Sequence, residues 1–421
     1  MSSLDDAIAQ GQQTLANSKA VSESRALQTA LRHKPRNEVT FLLEGREVPI
    51  LNAKISRSID TVADGWTCEV EWIPGRDKDL DRRIGPYTYA RAQIYIGPRL
   101  VNTGRLYTVR NTFTAQGLVK QLECASYTAD LVDSDMPPFS GYQFQGSSLP
   151  DIASTLCRQM KNVDGSALTP PISVGISRIL TGADYTRVVT PFDIVQTQLT
   201  EKYSEFFTRL AYQRGALVTN DRYGMLLITM GAKTGPEVAT LGEQDIAAYR
   251  QALAGSNAQS QSWGASFDGR QRFSTYAVYG QSGAPLEYDA DESEDTGGAM
   301  YSVATDDRVP GSRRTNIIMG DIAAGGAGVT AAWHRSRQLV KALTIPFPVI
   351  GWYTPAGELW NPNDFVTALA PSLDINIATH FLVRQIDYDH SASGQTATLY
   401  LVPPEVYTGQ PVREPWSGRW Q

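Results

Sequence analysis

The chain has 421 residues, 42% hydrophobic and 19% charged, with 38 basic against 44 acidic side chains and a net charge of −6. That balance supports folded cores, excludes global disorder, and suits two to four domains of roughly 150 residues each. A sequence pI near 5.4 gives no general attraction to nucleic acid or to an anionic membrane surface.

Cys68, Cys124 and Cys157 are odd in number and far apart, with no CxxC spacing. They read as buried free thiols of a chain made in a reducing compartment, not as a disulfide framework or a zinc site. The first residues, MSSLDDAIAQGQQ, place Asp5 and Asp6 where a signal peptide needs an apolar segment. No run approaches eighteen apolar residues, so a soluble chain without stable membrane insertion is expected.

Residues 1–36 read as a helical arm and linker: Leu4, Ile8 and Leu15 share one helix face, which Gly11 weakens. Residues 37–135 read as a first small β domain. Val39–Leu43 and Val48–Ile55 flank the turn Glu44-Gly45-Arg46. Trp66, Cys68, Val70 and Trp72 then alternate with polar residues, as on a half-buried strand. Ala92–Ile96, Leu106–Arg110 and Val119–Ala125 continue the pattern, with turns at Gly97-Pro98 and Ala115-Gln116-Gly117.

Residues 136–260 read as an α+β module. Ser148-Leu149-Pro150-Asp151 opens a helix with a serine cap and an early proline. Thr190-Pro191-Phe192-Asp193 repeats the device before a longer helix carrying Val195, Leu199, Phe206 and Leu210 and ending near Gly215. Ala216–Thr219 and Met225–Met230 form a hairpin. Residues 261–405 return to β, with an acidic insertion at 281–328. Strands are expected at Phe273–Tyr279, Thr344–Pro348, Asp364–Ala370, Phe381–Tyr388 and Thr396–Val402, and a helix at Val329–Ala342. Residues 406–421 are an extended tail. Leu106–Ser126 and His380–Val402 share one plan: a strand containing Val-Arg, a polar turn with glycine, and a second strand.

Enzyme constellations are poor. His380 and His390 sit at opposite ends of a predicted strand, too far apart at ~3.3 Å per residue to share a metal; His33 and His334 are isolated. EYDADESED (287–295) holds six acids in nine residues and partly imitates a calcium loop, but Glu294 and Met300 occupy its glycine and glutamate positions; it reads as a solvated loop. MGAKTG (230–235) has Ala232 where a phosphate loop needs glycine, and AAGGAG (323–328) reads as a flexible linker. No GxSxG elbow appears. No catalytic residue, cofactor or metal is assigned.

GELWNPNDFV (357–366) allows a ligand site or a turn that launches a strand. In context, Gly357 suits a positive φ, Pro362 biases Asn361 towards extended backbone, and Asn363 and Asp364 can bond their own backbone. Trp360 then reads as a buried or interface anchor.

Four segments carry a resemblance. Ser56-Arg57-Ser58-Ile59-Asp60 with Ala63-Asp64-Gly65-Trp66 is similar to an S-R-S-I-D/E … A-D-x-F pattern. Ser126-Tyr127-Thr128-Ala129-Asp130-Leu131-Val132-Asp133 is similar to G-R-S-K-T-A-D-L-V-D, departing at Ser126 and Tyr127 and lacking the basic residue. RLAYQRGALVTNDRYGMLLIT (209–229), within Val195–Met230, is similar to a middle helix-hairpin module. Gly351-Trp352 … Gly357-Glu358-Leu359-Trp360-Asn361-Pro362-Asn363-Asp364-Phe365-Val366 is similar to G-W … G-x-L-W-x-P-N-x-x-V. In this order, over about residues 40–405, they resemble the baseplate hub proteins of contractile-tailed phages, the group of late control protein D and the Mu-like tail hubs.

The resemblance implies a mainly β, α+β chain: two similar small antiparallel β-barrel domains flank the α+β module, and three chains form a ring. It implies a non-enzymatic hub joining a sixfold tail tube to a threefold spike around a DNA exit channel. The implied partners are the chain itself as a homotrimer, the central spike protein and a tail tube or tube-adaptor protein, with wedge and tape measure proteins as further candidates and no specific nucleic-acid binding. The site would be the virion baseplate, after assembly in the host cytoplasm. Arg57, Asp60, Trp66, Asp130, Trp352, Gly357, Trp360, Pro362 and Asn363 are the implied structural or interface residues. Trp416 and Trp420 join them from the tail, whose Trp and Arg content suits packing on another virion protein. A bacteriocin or secretion-apparatus hub shares the plan. A cell-wall hydrolase, or a carbohydrate-binding protein suggested by eight Trp and nineteen Tyr, is a competing class.

Overall fold

The computed structural model describes residues 29–114, 117–136, 143–197, 200–253, 264–280, 301–319, 326–392, 394–408, 412 and 414. The expectations for residues 1–28, the acidic run 287–295, Trp416 and Trp420 lie outside them. In chain order the elements are β1 (Val39–Leu43), β2 (Arg46–Val48), β3 (Asn52–Ser58), β4 (Gly65–Glu71), α1 (Lys78–Arg83), β5 (Arg91–Ile96), β6 (Arg99–Thr114), β7 (Gly117–Ser126), α2 (Ala129–Asp133), β8 (Gln143–Ser147), α3 (Leu149–Gln159), β9 (Val174–Ile176), α4 (Gly182–Val189), β10 (Phe192–Gln196) and α5 (Tyr203–Gln213). They continue with β11 (Leu217–Asn220), β12 (Leu226–Thr229), β13 (Glu237–Gly242), α6 (Glu243–Leu253), β14 (Ser266–Phe267), β15 (Thr275–Gly280), β16 (Tyr301–Thr305), β17 (Arg314–Met319), α7 (Gly326–Ala342), β18 (Leu343–Thr344), β19 (Pro346–Ile350), β20 (Phe365–Ala370), β21 (Ile375–Ser391) and β22 (Gly394–Val402). Among the described residues no helix is long and apolar enough to cross a membrane.

The chain divides into two compact units, residues 1–53 with 67–124, and residues 54–66 with 125–421. In the first, strands run in the order β4-β7-β6-β5-β1-β2. Glu44 and Gly45 turn β1 into β2 with φ of 51° and 73°, the positive values that a two-residue hairpin turn demands. Trp66, Cys68 and Val70 of β4 are buried and Thr67 and Glu69 are not, as the alternation predicts. The helix α1 has no counterpart in the hydrophobic pattern, because none of its residues is buried; the Asp77 side chain caps it by accepting from the Asp79 and Leu80 N–H groups.

In the second unit, β13-β20-β21-β22-β19 form a mixed sheet. β13 pairs parallel with β20 and the remaining pairs are antiparallel. Among the described residues β19 pairs with β22 alone, and it carries Pro346 and Pro348. Neither strand path closes on itself in the described residues, so the two barrels expected from the sequence are open sheets. The ends of each path explain this. β2 is three residues long with Arg46 and Glu47 exposed, and the prolines of β19 lack N–H groups to donate.

The middle of the chain has its own core around Leu149, Ile152, Leu156, Phe206, Phe207, Leu210 and Ile228. α3 begins as its sequence predicts: Ser148 accepts from the Asp151 N–H and Pro150 sits in the first turn. The second helix is shorter than expected. Residues 192–196 form β10, with Phe192 opposite Ser147 and Val195 opposite Phe144 of β8. β-branched Ile194 and Val195 suit that ladder better than a helix, and the helix starts only at Tyr203. A further three-stranded sheet, β16-β15-β17, packs Tyr276 and Val278 with Ala331 of α7.

Candidate functional site

The first motif is a loop that ends β3 and closes on itself. The Asp64 carboxylate accepts from the Ser58 N–H at 2.9 Å, and the Ser58 hydroxyl accepts from the Asp60 N–H at 3.1 Å. Its remaining backbone groups reach distant segments of the same unit. Ile59 N–H donates to the Arg384 carbonyl at 3.0 Å, Asp64 N–H to Asn220 Oδ1 at 2.7 Å, and Ser126 N–H to the Asp64 carbonyl at 3.0 Å. The Thr219 hydroxyl donates to the Ser58 carbonyl at 2.9 Å. Motif residues thus tie β11, β21 and the end of β7 to one loop.

Asp60 is the focus of a buried ionic knot. Its carboxylate lies 2.8 Å from Arg337 of α7 and 3.6 Å from Arg384 of β21, and accepts from the Tyr407 hydroxyl at 3.0 Å. Arg337 is 7% exposed and Asp60 12%. Burial is the largest single influence and opposes the Arg337 charge, but Asp60 together with Tyr407 and Tyr212 holds the guanidinium above its ordinary range. The Tyr407 ring packs over Gly231, where even a methyl group would overlap it. The glycines of MGAKTG are therefore spaces for aromatic rings, Tyr407 over Gly231 and Phe365 over Gly235.

The second polar group joins the first motif to the fourth. Arg57 donates to Asn361 Oδ1 at 3.2 Å and lies 3.8 Å from the Asp64 carboxylate. Asp364 accepts from the Asn361 N–H at 2.7 Å. Burial raises the carboxyls of Asp64 and Asp364 to about 6, against the opposing pull of Arg57 on each. The Tyr388 hydroxyl donates to the Trp360 carbonyl, and burial pushes its pKa upward.

The turn itself follows its sequence. Gly357 has φ of 80°, and its N–H donates to the Thr354 carbonyl at 2.8 Å. Asn363 is left-handed at φ 75°, which asparagine tolerates, and its side-chain oxygen accepts from the Ala232 N–H at 2.9 Å. Pro362 sits between Asn361 and Asn363, partly exposed. Trp360 is 3% exposed and Trp352 is 1% exposed; the Trp352 indole donates to the Asp389 and Thr396 carbonyls at 3.2 and 3.1 Å. Trp66 is buried at the start of β4. Asp130 lies in the first turn of α2, partly exposed.

The structure therefore brings Arg57, Asp60, Trp360 and Asn363 together with Asp64 and Asp364 of the same motifs and with residues that pattern reasoning did not single out: Arg337, Arg384 and Tyr407. Arg384 had a visible signal, since it is the arginine of the Val-Arg strand; Tyr407 had none. Two of the histidines, His380 and His390, serve as aromatic surfaces. His380 stacks on Phe365 at 5.0 Å and His390 meets the Trp352 ring edge at 5.8 Å. Among the described residues no group of His, Cys, Asp or Glu could hold a metal. All three cysteines are free and buried, and burial pushes the Cys157 thiol up to about 12. Tyr407 belongs to the knot, and Glu414 beyond it pairs with Arg272 at 3.0 Å and Arg308 at 2.6 Å.

Residues 326–410 match the family model of the Mu phage baseplate assembly protein GpP, fourth domain. Over 353 residues the chain is 27% identical to the baseplate hub protein gp44 of Escherichia phage Mu, covering 83% of each. The 43 kDa tail protein of prophage MuSo2 from Shewanella oneidensis has the same fold at TM-score 0.64 and 24% identity, over 88% of this chain and 100% of that one. The tail protein of Neisseria meningitidis MC58 does so at TM-score 0.65 and 17% identity, over 88% and 98%. The resemblance carried by the four motif segments is thereby borne out: the chain is similar to the Mu-like baseplate hub proteins of phage tails.

Proposed function

We propose that the protein is the structural hub of a phage tail baseplate, a homotrimeric ring that joins a sixfold tail tube to a threefold central spike and encloses the DNA exit channel. The observation that carries this reading is the match to a baseplate hub protein over 83% of both chains. The two hairpins that share a sequence plan add support. Gly117 opens β7 at φ 144° and Gly394 opens β22 at φ 128°, so each compact unit has a long hairpin turned by a glycine in the same unusual conformation. Two such units per chain would give three chains six similar faces, which suits a sixfold neighbour.

In this reading the network of Asp60 and Arg57 is architectural. It holds loop, helix and strand segments in one rigid frame, and the protein needs no catalytic group, cofactor or metal. An acidic chain also suits a DNA channel, because a basic lining would retain the phosphate backbone. The first test is light scattering on the purified chain, alone and with its spike protein. A particle of three times the 46.1 kDa chain mass is expected; a strict monomer under both conditions overturns the trimer. Cell-wall hydrolysis in a zymogram would overturn the non-enzymatic reading.

A further inference from the structure

One groove in the second unit belongs to neither the knot nor the turn. It has a volume of about 660 Å³ and lies between α5, α7 and the 61–63 loop, a size within the ~300–1,000 Å³ of small-molecule sites. Val62, Ala63, Val132 and the Tyr212 ring make most of its surface apolar, with Glu205 and Arg209 also lining it. One buried polar atom in its wall is unsatisfied: His334 Nε2 has no hydrogen-bond partner among the described residues. Burial lowers the His334 pKa to about 4, so the ring is neutral near pH 7 and can present one nitrogen as an acceptor. An apolar trough with one buried acceptor is complementary to an aromatic ring carrying an N–H donor, which describes an indole.

The chain supplies such a group nearby. Glu414 is fixed by Arg272 and Arg308 in a second cleft, whose wall includes Arg335, Ser336 and Leu339 of α7. His334 and Arg335 are consecutive on that helix, so the two clefts lie about 100° apart around its axis, an arc of roughly 10 Å on a helix about 11 Å wide. Trp416 lies two residues beyond Glu414 and Trp420 six. At ~3.3 Å per residue these reach about 7 Å and about 20 Å, so the second can round the helix. Arg419 beside Trp420 also matches the charge of Glu205, which is exposed.

We propose that the groove is the docking site of the chain's own C-terminal tail, with the Trp420 indole seated against Tyr212 and its N–H donated to His334. This places the tail on its own chain, not on another virion protein as its composition alone suggests. Glu414 acts as the fixed point from which residues 415–421 wrap α7.

The test places a benzophenone amino acid at position 420 of the full-length chain. After irradiation, mass spectrometry is expected to find the cross-link on residues 61–63, 132 or 204–212 of the same chain, at single-chain mass. His334→Leu should lower its yield severalfold. In parallel, a chain ending at residue 414 should lose hydrogen-exchange protection in α5 and around His334, and Trp420→Ala should reproduce that loss. A product of two chains overturns the proposal in favour of a neighbouring copy's tail. Cross-links elsewhere, or exchange in α5 unchanged by truncation, overturn it outright.

Discussion

Asp60→Ala is the sharpest test of the buried knot. At 2.8 Å, the attraction between Asp60 and Arg337 is about 6 kcal/mol for an effective dielectric near 20. The folded state offsets part of this with the cost of removing both charges from water. Deleting the acid leaves that cost standing on Arg337, which is 7% exposed, and removes the acceptor of the Tyr407 hydroxyl. The expected loss is the 3–5 kcal/mol typical of a broken buried pair. Urea unfolding followed by tryptophan fluorescence reads it directly, as a midpoint lower by about 1–2.5 M for a slope of about 2–3 kcal/mol/M. The double variant Asp60→Leu/Arg337→Met removes the buried pair but leaves Arg384, 3.6 Å from the native carboxylate, without its acid, and should recover part of the loss. A single-variant loss below about 1 kcal/mol, or a double variant less stable than either single one, would refute the claim that this pair organises the unit.

Three further outcomes follow from the same network. Asp364 has a folded-state pKa raised to about 6 from 3.8, so the folded chain binds more protons than the unfolded one between these values. Its contribution therefore favours folding at pH 4 and declines by about 3 kcal/mol as pH rises past 6. Asp364→Asn should remove this share of the slope in that window, leaving the share of Asp64, whose carboxyl is raised to the same range, and an unchanged slope would contradict the assignment. Gly231→Ala forces the Tyr407 ring away and should cost about 1–3 kcal/mol by overpacking, with a lower melting temperature in calorimetry; a neutral result would mean the ring moves freely. Trp360→Ala should cost about 3–5 kcal/mol through the cavity it leaves and shift the urea midpoint accordingly; retained stability with altered glycan binding would revive the ligand-site reading.

What could be read from the chain beforehand followed from local chemistry. The Glu44-Gly45 turn, the Ser148 cap, the alternation through Trp66 to Val70 and the Gly357 turn each depend on a few adjacent residues, and the structure agrees with all of them. Residues 192–196 were misread because a strand partner 45 or more positions away decides their conformation. The network was only half legible. Arg57, Asp60, Trp360 and Asn363 stood out in their motifs, but Arg337 sits 277 residues from Asp60 and Tyr407 347 residues from it. No spacing rule links positions so distant; only the folded chain brings them together. The barrels failed for the converse reason, since strand count and alternation do not say whether the outermost strands can meet.

The proline-bearing edge strand β19 has a consequence for production as well as architecture. Residues 346–349 are buried in the folded chain, but a sheet edge uncovered during folding is a template for any other extended peptide, and identical chains are the most abundant such peptides when the protein is overexpressed. With Pro346 and Pro348 in place, two rungs of any incoming ladder would lack a donor. Chains folding at high concentration are thereby hindered from pairing with one another at this edge. Replacing both prolines with valine would remove that protection, and overexpressed protein would then be expected to collect in the insoluble fraction.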